Sequence, residues 1–289
     1  MILSWPSPGK INLFLYINGL RNDGYHNIQT LLHFLNYGDE ITIKSRRDNK
    51  IQLMTPFINI IEKNNLILKA AHLLQNYCIQ MNLLNEYQGA DIYVKKKLPI
   101  GGGLGGGSSN AATTLIALNF HWKTNINDII LINLANKLGA DIPFFINGYS
   151  SFAEGIGNKL FPINLKEKWY LVAYPKIVIP TQEVFSEVEL KRNSPKLSLK
   201  KILQKKYVND CETIVRKKFI KVEKLILWMQ KHTPSRLTGT GSCVFGTFQT
   251  KTAAYKILDS APKWIQFFIT KGINRSPLHT FRDTMINQY

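Results

Sequence analysis

The residues with the clearest chemical potential form one short stretch, Pro99-Ile100-Gly101-Gly102-Gly103-Leu104-Gly105-Gly106-Gly107-Ser108-Ser109-Asn110. Glycine lacks a Cβ, so such a backbone can turn sharply and bring its N–H groups against a ligand. The spacing of Ala111, Leu115 and Leu118 predicts a helix from Ser108 to Asn119, directly after the run. A helix N-terminus offers free N–H groups and the positive end of its dipole, both suited to an anion. Ser108 and Ser109 add hydroxyls that could reach phosphate oxygens or the water shell of a metal.

Three readings of the run compete. A Walker A loop needs a lysine before its Ser or Thr, and Gly107 precedes Ser108 here. Gly101, Gly103 and Gly106 fit the dinucleotide pattern GxGxxG, but a run this rich in glycine fits many patterns. No second strand ending in an acid follows at the required distance. The third reading is a flexible loop with no ligand.

Other candidates are weaker alone. Lys10 follows two prolines and stands at the entrance of a strand, which the alternation of Ile11, Leu13, Leu15 and Ile17 predicts. A single such lysine is usually a solvated charge. Asp141 lies between Gly139 and Pro143, where it suits the N-cap of a helix begun by the proline. Arg236 to Phe245 holds Gly239 and Gly241 between threonines and reads as a tight turn beside a strand.

The elements around these residues are legible in outline. Ile41 to Lys44 and Ile51 to Met54 flank a polar turn at Asp48-Asn49 and predict a hairpin. Asn65 suits the cap of a helix running towards Tyr77, and Asp91 to Lys95 reads as a strand. Asn127 to Leu138 predicts a helix ended by Gly139. In the second half, Trp169 to Tyr174 and Trp264 to Thr270 read as strands. Leu197 to Gln204, Asn209 to Lys231 and Thr252 to Asp259 read as helices. The mixed order implies an α+β protein of two closely packed halves, expected at 1–152 and 153–289.

Bulk properties exclude several classes. With 45% hydrophobic and 19% charged residues, the 289-residue chain reads as globular, in one or two domains. The formal net charge of +18 attracts phosphate groups of any kind. Yet clusters such as Lys95–Lys97 and Lys217–Lys218 are short and far apart, with no zinc-finger or RNA-recognition signature, so no nucleic-acid partner is expected. Cys78, Cys211 and Cys243 form no CxxC pair, which argues against a disulfide framework or a structural zinc site. A cytoplasmic location fits that usage. Ser4, Pro6, Ser7, Pro8 and Lys10 interrupt any signal-peptide core, and no apolar run nears the ~18 residues of a membrane span.

Taken together, the separated segments resemble the GHMP family of small-molecule kinases. Pro8-Gly9-Lys10-Ile11-Asn12-Leu13, Pro99 to Asn110, and Leu237-Thr238-Gly239-Thr240-Gly241-Ser242-Cys243-Val244-Phe245 are similar to its three motifs, in its order. Gly9 departs from the alanine usual before the lysine. Trp5-Pro6-Ser7-Pro8, Asp23-Gly24-Tyr25-His26 and Leu138 to Phe145 resemble one branch, whose acceptor is a cytidine-diphosphate methylerythritol of isoprenoid precursor synthesis. Mevalonate or homoserine is the alternative acceptor, and a basic nucleic-acid-binding protein the remote one.

The resemblance implies a ribosomal-protein-S5-like N-terminal half, a ferredoxin-like C-terminal half and a cleft between them. It implies ATP with Mg²⁺, no dedicated metal ligands in the chain, and allows a homodimer. Asp141 would act as general base with Lys10 beside it. Gly101 to Ser109, with Pro99 and Ile100, would wrap the ATP phosphates, and Asn65 and Lys96 would lie near the adenine. Tyr25 and Phe185 would sandwich the cytosine, with His26 on its edge. Asn12, Thr181, Gly239, Thr240 and Gly241 would border the rest of the acceptor.

Overall fold

A computed structural model describes residues 1–56, 64–83 and 88–288. Its spine is a pair of long antiparallel strands, β1 (Ile2–Leu20) and β2 (His26–Arg46). Pro6-Ser7-Pro8 stands ahead of the strand expected to begin at Lys10. The structure instead carries this run inside β1, with a register shift between Pro8 and Lys10. Proline lacks an N–H, and a bulge is one of the few places in a sheet that tolerates the loss. Opposite the bulge the backbones close up, and a Cβ on Gly38 would stand 2.1 Å from the Ser7 carbonyl oxygen. Gly38 therefore lies within β2, opposite Pro8. Lys10 lies in mid-strand rather than at its entrance.

The predicted hairpin does not form. β3 (Ile51–Leu53) pairs in parallel with β4 (Gly89–Lys95), and β4 sits between β3 and β2. Parallel neighbours need a crossover, and α1 (Leu66–Gln80) lies on it. The polar turn serves a different purpose. Arg46 holds Asp48 in the turn and Asp91 on β4, at 2.8 Å and 2.6 Å.

Three helices cover the inner face of this sheet beside α1. They are α2 (Gly106–His121), α3 (Asp128–Asn136) and α4 (Ile142–Asn147). Asn65 caps α1 as expected, and Asn127 caps α3 as well, each accepting from a backbone N–H of the first turn. Between sheet and helices lies the first core, with Trp5, Phe34, Ile41, Leu115, Phe144 and Phe145 buried. β5 (Ser151–Glu154) adds to β2, and β6 (Lys159–Pro162) to β5.

The second half runs β7 (Trp169–Tyr174), then α5 (Thr181–Ser186), α6 (Leu199–Leu203), α7 (Glu212–Lys218) and α8 (Ile220–Gln230). β8 (Ser235–Leu237), β9 (Val244–Phe248), α9 (Lys251–Lys256) and β10 (Gln266–Ile273) follow. The long helix expected from Asn209 to Lys231 is two helices. Phe219 leaves the helical region at φ −118°, ψ 87° and packs against the second core. Strand order β10-β7-β9-β8, all antiparallel, gives the ferredoxin-like layer. The fold is α+β throughout.

The halves are joined in three ways. β10 reaches β2 at Gly272↔Leu35. A third core of Ile11, Phe14, Leu104, Tyr170, Val172 and Phe245 fills the space between the layers. The last helix, α10 (Pro277–Gln288), returns to the first half, where Leu278 is fully buried and Phe281 meets Trp5 edge-on at 5.0 Å. No helix among the described residues is long and apolar enough to cross a membrane.

Three buried histidines belong to this framework. Burial pushes His33, His121 and His279 down to about 4 from an ordinary 6.5. Each is neutral when folded, while the unfolded chain takes up protons below pH 6.5. Stability is therefore fully present above pH 6.5 and falls as pH drops towards 4. Urea unfolding at pH 7.5 and pH 4.5 should show a loss of at least about 2 kcal/mol at the lower pH.

Candidate active site

A cleft of about 1020 Å³ opens where the glycine run, β1 and the second half meet. Leu104 is the one large side chain among the glycines from 101 to 107, and it is buried in the third core. Burying a leucine contributes roughly 1.5–3 kcal/mol, so it anchors a stretch that otherwise has nothing to pack. Its carbonyl accepts from the Lys10 N–H at 3.0 Å, and the Gly102 carbonyl accepts from the Cys243 N–H at 3.1 Å. Gly103 has φ +76°, and a Cβ there would stand 2.4 Å from the Thr238 carbonyl oxygen. Only glycine allows the run and the Leu237–Phe245 segment to approach this closely.

The run does more than precede α2. The helix already begins at Gly106, with Gly105 as its cap and no side chain capping it. The N–H groups of its first turn are therefore left for a ligand, which suits phosphate oxygens.

Across the cleft stand Lys10 and Asp141. Lys10 is only 4% exposed, yet its Nζ reaches Asn12 Oδ1 at 2.6 Å and Asp141 Oδ2 at 3.5 Å. Asn12 is oriented in turn by donating to Thr30 Oγ1 at 2.9 Å. Asp141 does not cap α4. Its backbone is already helical, its side chain makes no capping bond, and its carboxylate is 44% exposed. It faces the cleft with one oxygen near an ammonium, an arrangement able to accept a proton from a bound hydroxyl.

A buried carboxylate outside the expected set supports the floor. Asp39 on β2 accepts from the N–H groups of Lys97 and Leu98, both at 2.8 Å, and from Asn110 Nδ2 at 3.1 Å. It also pairs with Lys96 Nζ. A Cβ on Gly106 would stand 3.4 Å from that Nζ. Asp39 thus ties β4, the entry to the run and α2 to one point. No local pattern announces it, because its partners lie 57–71 positions away.

The far wall is aromatic. The rings of His26 and Phe185 stand 4.9 Å apart at 33°. Tyr25 beside them is 59% exposed. The structure pairs Phe185 with His26, where the resemblance pairs it with Tyr25. Burial, and then the charge of Arg192, lower the His26 pKa, so the ring is neutral at neutral pH. Thr181 and Thr240 share a hydroxyl contact of 3.1 Å on the same wall.

Of the expected residues, Lys10, Asn12, Tyr25, His26, Asn65, Lys96, Pro99 to Ser108, Asp141, Thr181, Phe185, Gly239 and Thr240 all line this one cleft. Asn65 spends its carbonyl on capping α1. Two residues lie elsewhere. Ser109 is fully buried and contacts Ser7 Oγ at 3.0 Å, because α2 has turned its side chain into the core by that position. Gly241 closes the turn behind Thr240, donating to the Thr238 carbonyl at 2.9 Å. Gln182, Asn64 and Ile156 line the cleft without having been expected.

Residues 65–149 match the GHMP kinases N terminal domain, and residues 189–265 match GHMP kinases C terminal. The two matches together span more than half of the chain, which belongs to the GHMP kinase family and is an ATP-dependent phosphotransferase. A solved 4-(cytidine 5'-diphospho)-2C-methyl-D-erythritol kinase is 27% identical, with a TM-score of 0.80 over 93% of this chain and 99% of its own. The mevalonate kinase of Methanococcus jannaschii shares the fold at 19% identity and a TM-score of 0.64, covering 95% and 98%. So does a homoserine kinase from Cytophaga hutchinsonii, at 15% and 0.64, covering 96% of each chain.

Removing Asp39 strands two backbone donors and one ammonium. Asp39→Ala should cost roughly 2–4 kcal/mol in urea unfolding. The folded remainder should show a raised KM for ATP with little change in that for the acceptor.

Proposed function

We propose that the protein is a 4-(cytidine 5'-diphospho)-2C-methyl-D-erythritol kinase, transferring the γ-phosphate of ATP to the 2-hydroxyl of that acceptor. The observation that carries the reading is the His26–Phe185 wall in the same cleft as Lys10 and Asp141. A flat, partly apolar wall suits a pyrimidine ring, whereas mevalonate and homoserine carry no ring to stack. The higher similarity to the solved kinase of this name supports the same choice.

The residues divide the work of an in-line transfer, which depends on positioning and charge stabilisation. Asp141 accepts the proton of the attacking hydroxyl. Lys10, fixed by Asn12, stabilises negative charge on the transferring group. The uncapped first turn of α2 and the N–H groups of the glycine run hold the phosphates. Among the described residues no cluster of three or more His, Cys, Asp or Glu forms a metal site. Mg²⁺ would enter with the nucleotide and offset the charge of its phosphates, with Ser108 and Asp141 the side chains at hand to hold it. Thr181, Thr240 and Gly239 border the acceptor beyond the reacting hydroxyl.

Purified protein should release ADP from Mg-ATP only when the cytidine-diphosphate acceptor is present. Asp141→Asn should lower kcat by roughly 10²–10⁴-fold while the protein stays folded. Turnover of mevalonate or homoserine in place of the cytidine acceptor would sink the proposal. Phe185→Ala should weaken acceptor binding by about 1–3 kcal/mol, with KM for ATP unchanged. A normal acceptor KM in that variant would remove the stacking role.

A further inference from the structure

Behind the aromatic wall of the cleft, bonded to His26 and to the Phe185 carbonyl, stands a charged side chain that catalysis does not use. Arg192 Nε donates to His26 Nε2 at 3.1 Å. Its NH2 group donates to the carbonyls of Phe185 and Glu187 at 2.8 Å and 2.6 Å, and its NH1 group to that of Leu190 at 3.2 Å. The chain beyond it is pinned to β1. The Ser194 N–H donates to the Ile17 carbonyl at 2.9 Å, and Asn18 Nδ2 to the Ser194 carbonyl at 2.9 Å. One guanidinium thus joins α5, which carries Phe185, to the start of β2, which carries His26.

We propose that Arg192 is a positioning residue that sets acceptor specificity: it holds His26 in the tautomer protonated on Nδ1, so that the ring offers a ligand a donor and not an acceptor. A guanidinium can only donate, so Nε2 opposite it carries no proton. The neutral ring must then carry its proton on Nδ1. Nδ1 has no protein partner among the described residues, and His26 lines the cleft, so that N–H is left for a ligand. The four bonds of the guanidinium and the tilted ring contact with Phe185 keep the ring from turning over.

A fixed donor discriminates between pyrimidines. A 4-aminopyrimidine presents a bare N3 and an O2, both acceptors. A 4-oxopyrimidine presents N3–H at the same place, donor against donor, and one buried group is left unpaired. Arg192 would thereby make the cleft select cytidine over uridine without touching the base. The tautomer stands on geometry alone; its consequence for the acceptor rests on the function proposed above.

Two measurements on the full-length protein separate these parts. Two-bond ¹H–¹⁵N spectra, with His26 assigned through His26→Gln, should show Nε2 bare in the wild type. Arg192→Met should move the proton to Nε2, and Arg192→Lys, which keeps a donor, should largely retain the original form. The ratio of kcat/KM for cytidine- over uridine-diphosphate methylerythritol should fall at least about tenfold in Arg192→Met, with KM for ATP within about twofold. A wild-type His26 protonated on Nε2 overturns the inference outright. A switched tautomer with an unchanged ratio overturns its role in specificity. Wild-type protein that shows the stated tautomer but turns over neither acceptor sinks the proposed function and leaves the role of Arg192 in the tautomer standing.

Discussion

The outer edge of β1 is the constraint on which the rest of the site depends. Among the described strands β1 pairs with β2 alone, so its other side presents a row of N–H groups that burial would leave unpaired. Each such orphan costs roughly 1–3 kcal/mol. The chain answers with four acceptors from three segments. Lys10 N–H donates to Leu104, Asn12 N–H to Thr238 Oγ1 and Leu15 N–H to Val208, all at 3.0 Å, and Ile17 N–H to Asp210 Oδ2 at 2.8 Å. The first two acceptors belong to the glycine run and to the Leu237–Phe245 segment. Satisfying a sheet edge and assembling the cleft are therefore the same event. The side chains of Lys10 and Asn12 project from the very residues whose backbones make those bonds.

Asp39 plays the complementary part from β2. One carboxylate collects donors from the end of β4, from Lys96 and from α2, so the nucleotide side of the cleft cannot shift relative to the sheet without stranding several polar groups. Arg192 does the same on the acceptor side with the charges reversed, collecting carbonyls and one imidazole nitrogen. Both walls of the cleft are thus organised by a single side chain able to make four or more bonds of one polarity. The glycine run between them needs no such device. Leu104 is buried below it and close packing on Thr238 confines it above.

Basic composition finds little echo in the site. Of the lysines, Lys10 and Lys96 line the cleft, and both are paired with a carboxylate. Others meet acids on the surface, as Lys217 does with Glu189 and Lys271 with Glu167. Exposed pairs of this kind contribute at most about 1 kcal/mol each.

What the sequence determined by itself was the local chemistry. Six glycines before a helix, Asn65 ahead of apolar periodicity, and the three separated motifs each carry their meaning within a few residues, where backbone freedom and capping act. The two halves and their α+β character followed from the same short-range patterns. Tertiary structure alone decided the partners. It threaded β4 between β2 and β3 where a hairpin was expected, carried a proline run through the middle of a strand, and broke one long helix at Phe219 to fill a core. It gave Asp39 and Arg192 their roles, and turned Ser109 and Gly241 away from the cleft. These outcomes depend on which buried donors and apolar faces lack a partner after the sheet has formed. That depends on contacts between residues tens to hundreds of positions apart, such as the 166 between His26 and Arg192.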